Sequence, residues 1–271
     1  MINRKQEITG GDHSNNVQGN EVTVHQHGMS YTDVKDIAMG VFKSNFYDLG
    51  EKIEAVVNER AEKLINKYLD ELKAESPESL TNTKDPDVRF VIYEAQKNHA
   101  RRNDDEIADL LIDLLVSRTK QKDQKFTTLV CNEALEIIPK LTMKQINILT
   151  VLFIVKHVNI GALFSAKDFP VFLDQFLRGI TSGEIAFQHL QYSGCISISI
   201  GSADINKILS YSYPNDPIID DLHLRYAKLI ELWNTTKLAN SSLTSVGIAI
   251  ALSNFKKKTG VTWELENWIK E

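Results

Sequence analysis

The sequence predicts a mainly α protein, a helical bundle or array preceded by a short N-terminal β-hairpin tail. Three observations predict it. Apolar residues recur at helical spacing over most of the chain after residue 30. Helix-start signals recur with short connections between them, as in packed helices. Residues 1–29 follow neither rule.

The tail holds few apolar residues, and those it holds alternate: Asn15 and Val17, then Val22 and Val24 beyond Gly19-Asn20. Gly-Asn tolerates positive φ at both centres of a two-residue turn, so residues 1–29 read as a β-forming oligomerisation unit. A lone hairpin is barely stable in water, and its strands need partners.

Ser30 opens a helix, with Asp33 where a capping box normally has Glu. The stripe from Val34, Ile37 and Val41 through Phe46, Ile53 and Val57 to Leu72 predicts one long helix over 30–76, roughly 60 Å if unbroken. Gly40 and Gly50 are its points of bending. Such a stripe exceeds what a small domain covers, so it implies coiled-coil-like packing on another long helix or another subunit.

Ser76-Pro77 ends that helix, and the polar stretch to Thr83 reads as a linker. Region 85–140 starts at Asp85-Pro86. Within it Asn103 with Glu106 caps a helix bearing Ile107, Leu110, Leu111, Leu114 and Leu115, and Phe126–Ile138 is helical up to Pro139. Region 141–271 opens on a full capping box, Thr142 with Gln145, before Ile146, Leu149 and Leu152. Ser165 with Asp168 and Thr181 with Glu184 repeat the signal.

Two runs in this last region alternate instead. Gly194–Gly201 reads as a strand; a second strand, after a long helix from Ile218 to about Lys237, ends at Leu243-Thr244. Thr244 then caps a helix carrying Gly247, which resembles the wing-to-helix passage of winged-helix proteins. Trp263, Leu265 and Trp268 are expected to fold back over the core.

With 31 Lys and Arg against 36 Asp and Glu, the net charge of -5 argues against general phosphate neutralisation. Cys131 and Cys195 lack partners at metal-ligand spacing, which suits a reducing compartment. Met1–Gly11 has no apolar leader core, and the most apolar run, Ile146–Val155, is too short to span a bilayer. The expectation is a cytoplasmic chain without a membrane partner.

No phosphate loop, dinucleotide fingerprint, zinc-protease helix or nucleophile elbow is present, so no catalytic residue, cofactor or metal ligand is assigned. His13, His25 and His27 lack the further ligands that zinc requires. Asp104, Asp105, Glu106, Asp109 and Asp113 crowd one helix; they suit the dipole of a first turn, or a metal-dependent hydrolase. His99, Arg101, Arg102, Arg118, Lys120, Lys122 and Lys125 form one candidate basic patch. Lys256, Lys257 and Lys258 form another, the contact expected of a DNA-binding regulator with a C-terminal winged helix.

Gly11-Asp-His-Ser-Asn-Asn-Val-Gln18 resembles the Gly-Asp-Asn-Ser-x-x-Ile-Gln opening of an uncharacterised bacterial family, with His13 in place of Asn. The likeness continues in Asp85-Pro-Asp-Val-Arg-Phe90, Asp109–Arg118 and Asn132–Ile138. The tail is also similar to short signalling motifs of bacterial immune proteins, and Asn16-Val-Gln-Gly19 to the Val-Gln-x-Gly core of amyloid-type signals. The resemblance implies a homo-oligomeric scaffold, sensor or adaptor in anti-phage defence. Its contacts would be Asn15, Asn16, Val17, Gln18, Val22 and Val24 in the tail, with Val34, Ile37 and Val41 in the helix; its partners would be copies of itself and another protein.

Overall fold

The structure, a computed structural model, describes residues 29–45, 51–121, 126–180, 183–214 and 222–269. The expected hairpin, the tail histidines, Asn15 to Val24, Lys122, Lys125 and Thr181 lie outside the described residues. Within them the protein is mainly α, with one two-stranded sheet.

Helix α1 (Tyr31–Asn45) begins at a reciprocal cap: Ser30 N–H donates to Asp33 Oδ2 at 2.9 Å, and Asp33 N–H donates to Ser30 Oγ at 3.2 Å. Asp replaces Glu in the box without loss of either bond. Helix α2 (Glu51–Glu75) does not prolong α1. It runs back along it, with Tyr31 bonded to Asn66 and Lys35 paired with Glu62 at 2.7 Å. In one straight helix residues 31 and 66 would stand about 50 Å apart. The single long helix over 30–76 is therefore corrected to an antiparallel pair. Much of the apolar stripe is covered inside the protomer, where Val34 and Ala38 join the core with Leu64, Ile65 and Tyr68, while Ile53 stays exposed.

The expected linker after Pro77 is a 3-10 helix, Pro77–Lys84, with Ser79 and Thr83 buried. Its polar composition concealed the hydroxyl bonds that satisfy it, Ser76 Oγ to Ser79 Oγ at 2.8 Å and Thr83 Oγ1 to the Leu80 carbonyl at 2.7 Å. Helix α3 (Pro86–Arg102) starts on Asp85, whose carboxylate accepts from Asp87 N–H. It ends at Asn103 in the left-handed region, φ 52°, a conformation Asn tolerates. Asp104, not Asn103, caps α4 (Asp105–Lys120), accepting from Ile107 N–H.

Helix α5 (Phe126–Ile137) stops before Pro139. Helix α6 (Met143–His157) carries the predicted box, Thr142 with Gln145. It has no polar stripe: Ile148 to Val155 are all buried, as a helix apolar all round requires. Helices α7 (Ile160–Leu163), α8 (Phe169–Leu177) and α9 (Glu184–Tyr192) lead into β1 (Ile196–Ile198), and α10 (Ile205–Ser212) follows it. The expected long helix after Ile218 is two pieces, α11 (Leu222–Arg225) and α12 (Ala227–Thr235), parted at Tyr226, whose hydroxyl donates to the Ala166 carbonyl at 3.0 Å.

Strand β2 (Ser241–Leu243) pairs antiparallel with β1, Ile196 opposite Leu243. Thr244 caps α13 (Ser245–Thr259) by accepting from Gly247 N–H, as expected. A Cβ on Gly247 would sit 2.1 Å from the Cys195 carbonyl oxygen, so glycine is what lets the sheet cross the helix start. The winged-helix reading is corrected here. Residues 246–255 of α13 are all buried, and the helix lies against α6, α5 and α4; a helix that enters a DNA groove needs an exposed face. Trp263 and Trp268 do fold back, packing on Phe255 and Phe153. No helix among the described residues is long and apolar enough to cross a membrane.

Candidate functional site

The residues singled out for charge are gathered by the fold into interhelical pairs. Asp105 meets Lys63 at 2.8 Å and Asp109 meets Lys67 at 3.4 Å, joining α4 to α2. The Lys63 ammonium holds the Asp105 carboxyl below the usual range. Asp104 is spent on its cap, and Glu106 pairs with Lys258 at 3.3 Å. Each carboxylate of the expected metal cluster thus faces a cation or a cap, Asp113 sharing Lys256 with Glu75. Among the described residues no three His, Cys, Asp or Glu are placed to hold a metal ion.

The basic patches come apart in the same way. His99 is buried, and burial lowers its pKa. Arg118 is buried between Asp87, 2.6 Å away, and the Asn132 amide oxygen. Arg102 donates to the Pro139 and Leu141 carbonyls, tying α3 to the chain after α5. Lys257 reaches Glu71 at 2.9 Å, and Lys256 reaches Glu75 at 2.8 Å and Asp113 at 2.7 Å. The expected nucleic-acid contact at Lys256, Lys257 and Lys258 is therefore neutralised by carboxylates of α2 and α4, which leaves little for phosphate to displace.

Of the expected assembly residues in α1, Val34 is buried inside the protomer. Ile37 and Val41 are half-buried beside Ile92 and Tyr93 of α3. Lateral packing of α1 is largely met by its own chain.

The pair formed by Lys256 and Asp113 opens on a cavity of about 360 Å³ that sequence reasoning missed. Three helices wall it: the end of α4 with Asp113, Ser117, Lys120 and Gln121, the start of α5 with Thr127 and Cys131, and α13 with Leu252, Ser253 and Lys256. The segment Thr262–Glu266 closes the fourth side, its Trp263 ring stacked on Phe255 at 4.6 Å. Burial works against the Lys256 ammonium, yet the carboxylates of Asp113 and Glu75 outweigh it and hold its pKa above the ordinary lysine value. Burial also pushes the Cys131 thiol up to about 12, so it stays protonated and unreactive.

One signal for this site is visible in the sequence. Asp113 interrupts Leu110-Leu-Ile-Asp-Leu-Leu115, where helical spacing buries it whichever face is turned inward. A buried carboxylate demands a cation. Which cation was illegible, because Lys256 is 143 positions away.

Fold and cavity together define an all-helical body clasped by a two-stranded clip, with a charged cleft between α4, α5 and α13. The chain belongs to an uncharacterised protein family, whose model matches residues 28–216 and 215–269. That match begins after the Gly11–Gln18 signature. No curated protein and no solved structure matches the chain.

Proposed function

We propose that the protein is a homo-oligomeric scaffold, sensor or adaptor of bacterial anti-phage defence. Residues 29–269 serve as a fixed helical platform, and the Gly/Asn-rich segment before them joins copies of the chain in the cytoplasm. The observation that supports this reading is the anchoring of the junction. Ser30 and Asp33 cap α1 reciprocally, Val34 and Ala38 are buried behind them, and the Thr83 hydroxyl, whose proton goes to the Leu80 carbonyl, lies 3.8 Å from Met29 Sδ. The point where residues 1–28 join the body is thus held by α1 and the 3-10 helix. Identical strands from several copies would then satisfy one another's backbone groups.

Because α1 packs within its own chain, assembly rests on Asn15, Asn16, Val17, Gln18, Val22 and Val24 rather than on a coiled coil. Light scattering on the full chain and on a chain lacking residues 1–28 tests this. The full chain should exceed monomer mass and the truncated one should not; two equal monomer masses would end the reading. Val17→Asp in the full chain should act as the truncation does, at unchanged helix content by circular dichroism.

A further inference from the structure

The chain changes its mode of attachment at Gly260. Just before it, Lys256, Lys257 and Lys258 pin the end of α13 to Glu75, Glu71 and Glu106. Gly260 then turns the chain in the left-handed region, φ 72°, a conformation that glycine takes without strain. Beyond it the backbone bonds stay local. Val261 N–H donates to Thr259 Oγ1, and the N–H groups of Asn267, Trp268 and Ile269 donate to the Glu264 and Leu265 carbonyls. Among the described residues no hydrogen bond or ion pair joins this strap, residues 261–269, to the chain before Thr259.

Side-chain packing is what holds the strap down. Trp263 stacks on Phe255 at 4.6 Å, and Trp268 meets Phe153 edge-on. Of residues 261–269 only Ile269 is buried. Trp268 Nε1 is enclosed without an acceptor, and water would satisfy it if the strap lifted, so the closed form carries a penalty that the open form escapes. Under the strap lies the cleft between α4, α5 and α13, with Cys131 in its wall and 1% exposed. The Glu266 carboxylate adds to burial in holding the Cys131 thiol up, which puts the strap close to that sulfur.

We infer that residues 261–269 form a gate that lifts as one unit about Gly260 while the helical body stays folded, uncovering the cleft, Cys131 and the rings of Phe153 and Phe255. Segments with few bonds to the rest of a fold open locally at a fraction of the global unfolding free energy. The strap is an autoinhibitory contact: whatever enters the cleft from this side must first displace Trp263.

Labelling of the folded full chain with N-ethylmaleimide tests the gate, read at each thiol by mass spectrometry over urea concentrations below the unfolding midpoint. Cys195, buried beside Gly247 at the other end of α13, is the internal reference. Cys131 should label at least about tenfold faster than Cys195, with the shallow urea dependence of a small exposed surface, whereas Cys195 should follow global unfolding. Trp268→Ala should speed Cys131 by about tenfold or more, and the milder Trp268→Phe by less, both at unchanged helix content. Ile65→Val, a change in the core of the body, should speed Cys195 by up to about tenfold and leave Cys131 as it was. One rate and one steep urea slope for both thiols, indifference of Cys131 to both Trp268 changes, or an equal response of both thiols to Ile65→Val would each overturn the gate. The readout does not depend on particle mass, so it stands or falls apart from the assembly reading.

Discussion

The helices share one apolar core, to which those before residue 140 add mainly interhelical ion pairs and those after it mainly ring contacts. Between α1, α2, α3 and α4 the contacts include Lys35–Glu62, Lys63–Asp105, Lys67–Asp109 and Arg118–Asp87. Around α6 and α13, Phe153 packs edge-on to Trp268 at 4.7 Å, Phe255 stacks on Trp263, and Phe172 stacks on Phe164 at 4.3 Å. Helix α13 belongs to both regions. Its first turns lie in the apolar core, and its last carries three lysines to α2 and α4. Ion pairs set which helix faces which at little net gain, whereas ring burial supplies stability without choosing partners by charge.

The largest loss is expected at the rings. Phe153→Ala removes a fully buried side chain touching both tryptophans and should cost about 3–5 kcal/mol in urea unfolding. A loss near that of a surface change would refute the division. Lys256→Met comes next. It strands Asp113, 4% exposed, as a buried charge and should cost about 3 kcal/mol; pairing it with Asp113→Leu should recover most of that. If the double change is no better than the single, the pair is not what burial of Asp113 depends on.

Acid sharpens the contrast further. Burial lowers the folded-state pKa of His99 under the charged seam, so protons prefer the unfolded chain. Its contribution is fully present above the ordinary value of 6.5 and falls away as pH drops from there through the lowered value. Stability measured from pH 7 to 5 should therefore decline, and His99→Gln should flatten that slope. His157, stacked on Phe153 and lowered by burial with help from Lys156, should behave alike, so the ring region shares this sensitivity. Lys67→Ala should do least. Its pair with Asp109 is exposed, and the change should cost under about 1 kcal/mol; a larger loss would mean the seam carries stability after all.

Helix starts were legible because capping is local. Thr142 with Gln145, Ser30 with Asp33, Asp85-Pro86 and Thr244 with Gly247 each close bonds within three residues. The β1 run was legible through its alternation. The stripe from Val34 to Leu72 announced a buried face and nothing about what buries it, and so α1 and α2 were read as one rod. Lys256, Lys257 and Lys258 were read as a free patch for the same reason: the carboxylates that engage Lys256 and Lys257 most closely in sequence and space lie more than 140 positions away. Of the cleft, only Asp113 left a trace, as a charge inside an apolar run.

The amino-acid sequence by itself determined that the body is mainly helical and where α1, α3, α5, α6 and α13 begin, since those choices rest on hydrogen bonds and side-chain spacing within a turn or two. The tertiary structure alone decided that α1 folds back on α2, that α13 is a core helix rather than a reading head, and that a cleft remains beside Asp113 and Lys256. Those outcomes depend on groups far apart along the chain, whose meeting is fixed by the packing of whole helices and by no local signal.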